Sequence, residues 1–252
     1  MGDGLGSRGQ QRSLRLFGCW DLRVDGRSVR MGGREQRLVT YVALNGRRMR
    51  SYVAGVMWPE STENRAHSSL RAALLQVRRA SAQLLDADQT TVDLAADVAV
   101  DVRDFRRCAA EVVGAPDDVD FTAALSVLDG DELTPGWYED WVMFERERLQ
   151  HERVRALEAL AIAVLRRGLS DSALAAARAA ASIEPLRESA HSIVIRAHLM
   201  AGNAAGAIDE YRAYAHLLHD ELGISPSEGL RKLATVEVSG YRRLESGHVR
   251  DG

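Results

Sequence analysis

From residue 62 to residue 80, the segment TENRAHSSLRAALLQVRRA sets Leu70, Ala73, Leu74 and Val77 at three-and-four spacing. His67, Arg71 and Arg78 fall on the opposite side, with Ser68, Gln76 and Arg79 beside them. The pattern predicts an amphipathic helix with one packing face and one basic face. Upstream, residues 14 to 30 alternate apolar and polar through Leu14, Leu16, Trp20, Leu22 and Val24. Asp25-Gly26 makes a tight turn before Ser28 to Arg30, so a small antiparallel sheet is expected there. A first helix is expected from Arg34 to Leu44, with Leu38 and Val42 on one side and Asn45-Gly46 as its stop. Ser51 is expected to cap a short second helix, Tyr52 to Trp58, which Pro59 prevents from continuing. After the arginine helix, Leu84-Leu85 and Thr91 to Leu94 flank Asp86 to Thr90 as a β-hairpin, and Val98 to Val102 adds an extended segment. Three strands, three helices and a hairpin form the order of a winged helix with an N-terminal sheet, whose third helix enters the major groove.

The second half reads differently. Gly168 and Gly202 are 34 residues apart, as are Leu165 and Leu199, Ala173 and Ala207, and Leu174 and Ile208, the period of tetratricopeptide repeats. Ala173, Ala180 and Pro185 fall where that repeat places its small packing residues and its terminal proline. A plain alanine-rich bundle is the alternative, and either is an antiparallel helical array. A long helix is expected from Glu139 to Arg167. Another runs from Ala204 to Leu222 and stops at GISPSEGL, and a further one continues to about Tyr241. The expected class is α+β: an N-terminal winged helix with small antiparallel sheets, then an all-α tetratricopeptide-like domain. The expected division is a flexible 1–13, a winged-helix domain 14–113, a GAPDD linker 114–118, a helical domain 119–244 and a flexible tail 245–252.

Composition narrows the function classes. With 46% hydrophobic residues in 252, the chain can bury real cores. No run approaches the ~20 apolar residues of a membrane span, and GDGLGSRGQQRS lacks the apolar centre of a signal peptide, so a cytoplasmic protein without membrane contact is expected. Cys19 and Cys108 are expected to be buried free thiols, and neither a metal nor a cofactor is implied. The net charge is -3, yet residues 31 to 80 hold nine arginines against Glu35, Glu60 and Glu63, a local charge of +6. A mildly acidic chain with one basic segment suits a DNA reader, because phosphate attraction is needed on one surface only. No GxxxxGK[ST], HExxH or GxSxG pattern occurs, and His191, His198, His216 and His219 lack matched ligands, so an enzyme is not expected. Trp137, Tyr138 and Trp141 form the densest aromatic cluster and are expected to serve as core.

Here the chain resembles a known family. Residues 14 to 105 resemble the OmpR-type winged-helix domain of the SARP bacterial transcriptional activators, through LRLFGCWDLRVDGR, GREQRLVTYVALNG, MRSYVAGVMWPES and NRAHSSLRAALLQVRRA. Residues 119 to 235 resemble the bacterial transcriptional activation domain that follows it, in LTPGWYEDWVMFERERL, EPLRESAHSIVIRAHLMAGNAAGAIDEYRAY and LGISPSEGL. The resemblance implies an activator that binds promoter repeats in double-stranded DNA, as a homodimer or tandem pair, and recruits the RNA polymerase holoenzyme. Docking of the family type would aim Ser68, Arg71, Ala72, Leu75 and Gln76 at bases and bring Arg65, His67, Arg78 and Arg79 near phosphates. Arg34 and Arg37 are expected to add to the binding. Leu75 either meets a thymine methyl group or turns into the core. Glu60 and Glu63, in the loop that would face polymerase, serve that partner or the start of the third helix. The hairpin departs from the family pattern, holding Asp86, Asp88 and Asp93 and no basic residue, which puts its contribution to DNA affinity in doubt. The competing reading is a repeat-type interaction adaptor without DNA binding.

Overall fold

The computed structural model describes residues 11–235. Of the flexible N-terminus expected at residues 1–13, residues 1–10 lie outside the described residues, as do the tail 245–252 and the continuation of the last helix toward Tyr241. Arg12 and Ser13 are not a loose end but the start of the first strand, where Arg12 is buried. The chain groups into two compact units: residues up to Phe105 with Asp131–Arg146, and Arg106–Gly130 with the chain from Glu147 onward.

The first unit opens with strands β1 (Arg12–Arg15), β2 (Asp21–Val24) and β3 (Arg27–Ser28). Asp25 (φ 50°) and Gly26 (φ 78°) supply the two left-handed residues of a tight hairpin, the conformation that Asp-Gly tolerates best. Helix α1 (Gly33–Asn45) ends where Gly46 donates its N–H to the Val42 carbonyl. Then come β4 (Arg48–Met49), α2 (Arg50–Met57), α3 (Glu63–Ala80), β5 (Leu85–Ala87), β6 (Thr91–Leu94), β7 (Val98–Val100) and α4 (Asp101–Gly114). Two sheets form, ordered β3-β2-β1-β7 and β4-β6-β5.

Three local expectations are corrected. The first sheet is mixed, because β7 pairs parallel to β1 and sets Val100 beside Leu14, both buried. The extended segment ends at Val100. Asp101 there accepts the backbone N–H groups of Leu16, Phe17 and Val102, which starts α4 where more strand was expected, and burial pushes its carboxyl upward. Ser51 is not a cap: α2 begins at Arg50 after the two-residue strand β4, and the position before it is Met49, which has no capping oxygen. Leu22, Leu38, Val42, Leu70 and Leu84 are buried in this unit, each contributing roughly 1.5–3 kcal/mol through burial.

In the second unit, the segment expected as a linker holds a 3-10 turn at Pro116–Asp118, and an unanticipated helix α5 (Phe121–Leu128) follows. Helix α6 (Asp140–Arg166) matches the expected long helix. Then come α7 (Ser170–Ile183), α8 (Glu188–Met200) and α9 (Ala204–Leu222), and residues 228–235 are helical. α7 packs on α8 and α8 on α9. Gly168 and Gly202, with φ of 79° and 70°, make equivalent turns before α7 and α9. Ala173 and Ala207, one period apart, are both fully buried, and small side chains there let the helices approach closely. Within α8, His191 is stapled by its Nδ1 to Glu210 at 2.7 Å and its Nε2 to the Pro185 carbonyl at 2.8 Å, and its ring stacks on Tyr214.

The thiols were expected to be buried. Instead Cys19 is exposed in the β1–β2 loop beside Arg15, and Cys108 is only half-buried on α4, where burial pushes the thiol pKa up.

Candidate nucleic-acid interface

The candidate interface is built on α3. Its packing stripe is Ala66, Leu70, Ala73 and Val77, all buried, while Leu74 is partly covered. The opposite side carries Arg65, Ser68, Arg71, Ala72, Leu75, Gln76, Arg78 and Arg79, every one exposed, with His67 half-buried between the faces. The helix therefore has the rotation that leaves Leu75 49% exposed rather than in the core. The Ser68 hydroxyl donates to the Asn64 carbonyl at 2.9 Å and accepts from Arg71 Nη2 at 2.8 Å, which steadies the guanidinium along the helix surface. Among the described residues, no carboxylate stands within ion-pair distance of Arg65, Arg71, Arg78 or Arg79. Four uncompensated cations on one helix face form an electropositive strip able to take up phosphate.

At the start of α3, Glu60 and Glu63 are exposed. Glu63 lies in the first turn, with an oxygen 3.9 Å from His67 Nε2, and the position before the helix, Thr62, makes no side-chain capping bond. Glu63 acts there through its charge at the positive end of the helix.

Arg34 and Arg37 sit on another part of the unit. Both line a cleft of about 720 Å³ with Trp58, Tyr138, Trp141 and Phe144. Arg34 is exposed. Arg37 pairs with Glu139, lies 4.8 Å from the Trp137 ring centre and donates to the Gly33 carbonyl, so its charge is already engaged. The aromatic cluster divides likewise: Trp141 packs edge-on against Tyr41, while Tyr138 is 78% exposed and is not core.

The hairpin expected from residue 84 to 94 is present, as β5 paired with β6. Its tip is an Asx turn. Asp88 accepts the backbone N–H groups of Thr90 and Thr91, each at 2.6 Å, and both threonine hydroxyls, each at 2.9 Å. The Thr91 N–H, then that of Thr90, holds the Asp88 carboxyl well below the usual range. Asp93 lies 3.7 Å from Arg47 Nε. Two of the three hairpin carboxylates are therefore already engaged by neighbours.

Sequence reading passed over the basic residues beside this hairpin. β4 pairs with β6, Arg48 opposite Val92 and Met49 opposite Thr91, so the run Arg47, Arg48, Arg50 is carried to the hairpin's flank. Arg47 and Arg48 are exposed, and Arg50 Nη1 donates to the Asp88 carbonyl at 2.7 Å. The signal was the run RRMR just after Asn45-Gly46, which is too short to show a period.

Comparison with known proteins places the chain. The family model of the bacterial transcriptional activator domain matches residues 92–236. The regulatory protein AfsR of Streptomyces coelicolor is 33% identical over 112 residues, which are 44% of this chain and 11% of AfsR, so the chain corresponds to a small part of that relative. The structure of Mycobacterium tuberculosis EmbR in complex with a low affinity phosphopeptide matches with a TM-score of 0.73 at 21% identity, over 95% of this chain and 70% of that one, a likeness of fold. Among the described residues, no helix is long and apolar enough to cross a membrane. Because the match spans more than half of the sequence, the chain belongs to the bacterial transcriptional activator domain family.

Proposed function

We propose that this chain is a sequence-specific DNA-binding transcriptional activator that works in the cytoplasm, with residues 14–113 reading DNA and residues 119–244 serving as a platform for partners. The observation that carries this reading is the outward face of α3, where four arginines without carboxylate partners share one helix surface with Ser68, Ala72, Leu75 and Gln76. Arg71 meets a guanine through two parallel hydrogen bonds, Gln76 reaches a neighbouring base edge, and Leu75 packs on a thymine methyl group. Arg65, His67, Arg78 and Arg79 neutralise phosphates on either side, with Arg34 further out, and Arg37 contributes through packing. Two copies, as a dimer or tandem pair, occupy repeated half-sites. Exposed Glu60 and Glu63 face the RNA polymerase holoenzyme that the complex recruits.

The test is binding to genomic duplex fragments followed by salt titration. Affinity should fall steeply as salt rises, and Arg71→Ala should remove about 1–3 kcal/mol of discrimination at one base position while leaving the fold intact. A wild-type chain that retains no duplex above the nonspecific level would point to the adaptor reading instead.

A further inference from the structure

The hairpin and the β4 strand raise a question that the α3 face leaves open. A wing whose own side chains are acidic gains nothing by approaching phosphate, yet this one is built with care. Its tip is closed by four hydrogen bonds onto Asp88, and the carbonyl of that same residue accepts from Arg50 Nη1. The Arg50 backbone N–H donates in turn to the Thr90 carbonyl at 2.8 Å. Arg50 is thus tied to the hairpin tip at both main chain and side chain. A guanidinium has five N–H donors, so one bond to a carbonyl leaves most of them for a second acceptor.

Arg50 also lines a groove of about 420 Å³ between α3 and β5, with Leu75 and Arg78 from the helix and Leu85, Asp86 and Ala87 from the hairpin. Arg78 belongs to the uncompensated strip of α3, and Arg50 has no carboxylate partner among the described residues. Asp86 is the one carboxylate on the wall. The groove therefore holds two guanidinium groups against one acid, next to the proposed base-reading residue Leu75.

We infer that this groove seats a phosphodiester of the DNA backbone between Arg50 and Arg78, and that the hairpin acts as a bracket positioning Arg50 rather than as a wing that touches DNA itself. Exposed Arg48 extends the same basic edge along β4. The inference rests on the DNA-binding reading above. It reverses the division of labour expected of the motif, because the positive charge beside the third helix comes from Arg50 at the first residue of α2 and not from the hairpin. Asp88 is a positioning residue in this scheme: its carboxylate shapes the turn whose carbonyl holds the arginine.

The experiment is a salt titration of the full chain on a pool of random-sequence duplex DNA, which isolates phosphate contacts from base reading. Arg50→Ala should reduce the slope of log affinity against log salt by about 1, whereas Arg50→Lys should retain it. Gln89→Ala at the hairpin tip should leave the slope unchanged, and Asp86→Asn should raise affinity for every duplex. Asp88→Ala should lower the slope in the wild-type background and have no further effect on it in Arg50→Ala, a dependence that simple loosening of the hairpin would not give. An unaltered slope in Arg50→Ala, with loss in the tip variant, overturns the bracket and leaves α3 reading intact. A wild-type chain with no affinity for the pool overturns both.

Discussion

α3 and α8 are both helices with regular apolar spacing, yet they bury very different shares of themselves. α3 covers four of its 18 residues, all on one stripe; α8 covers eight of its 13, including His191 and His198. α8 is packed by α7 on one side and α9 on the other, so its polar residues must find partners inside the protein. α3 packs from one side only, and its arginines find none. A helix that spends one face on the fold and leaves the other charged and unpaired has a surface still to be satisfied, and in the proposed reading duplex DNA satisfies it.

Substitutions should separate the two helices. The largest effect is expected at the α8 core, where Ile195→Ala should cost about 2–5 kcal/mol in chemical denaturation, since Ile195 is fully buried in the cluster with Leu199, Tyr214 and Leu218. On α3, Leu75→Ala should change stability by less than about 0.5 kcal/mol. Equal losses would mean that the two helices are not packed as differently as they look. Next in size, His191→Phe should cost about 1–3 kcal/mol, at the lower end because Glu210 reaches water, by stranding the Glu210 carboxylate and the Pro185 carbonyl. A thermal midpoint equal to that of the wild type would show the staple to be idle.

The smallest effect concerns pH at the hairpin. Asp88 has a folded-state pKa below the unfolded value near 3.8. Its contribution is therefore complete above that value and is lost as pH falls through the lower folded-state value. Around neutrality the turn should not change. In an NMR titration the Thr90 and Thr91 amides should shift only below the ordinary aspartate range, and a midpoint at the ordinary value would contradict the Asx turn.

Legibility in the sequence followed the range of the interactions. α3, α6 and α9 were readable because their periodicity runs for several turns and their ends carry strong stops, Gly202 before α9 and Gly223 after it. α4 was missed although Val102, Phe105, Ala109 and Val112 make a helical stripe, because the alternation of β7 runs straight into Val102 and hides the boundary that Asp101 sets. The polar part of the exposed set on α3 was legible from the helix alone, whereas Leu75, next to Leu74 at the edge of the apolar stripe, was left open until the packing fixed the rotation. Arg37 was not, because its partner Glu139 is 102 residues away. Arg50 escaped notice for the same reason: only the pairing of β4 with β6 brings it to the hairpin.

The central claim is that the outward side of α3 reads bases, and selection of bound sequences from a random duplex pool tests it most directly. The wild-type chain should enrich a short repeated motif, and Arg71→Ala should enrich the same motif with one guanine position relaxed. Recovery of an unenriched pool by the folded wild-type chain, or an identical motif from Arg71→Ala, would contradict it.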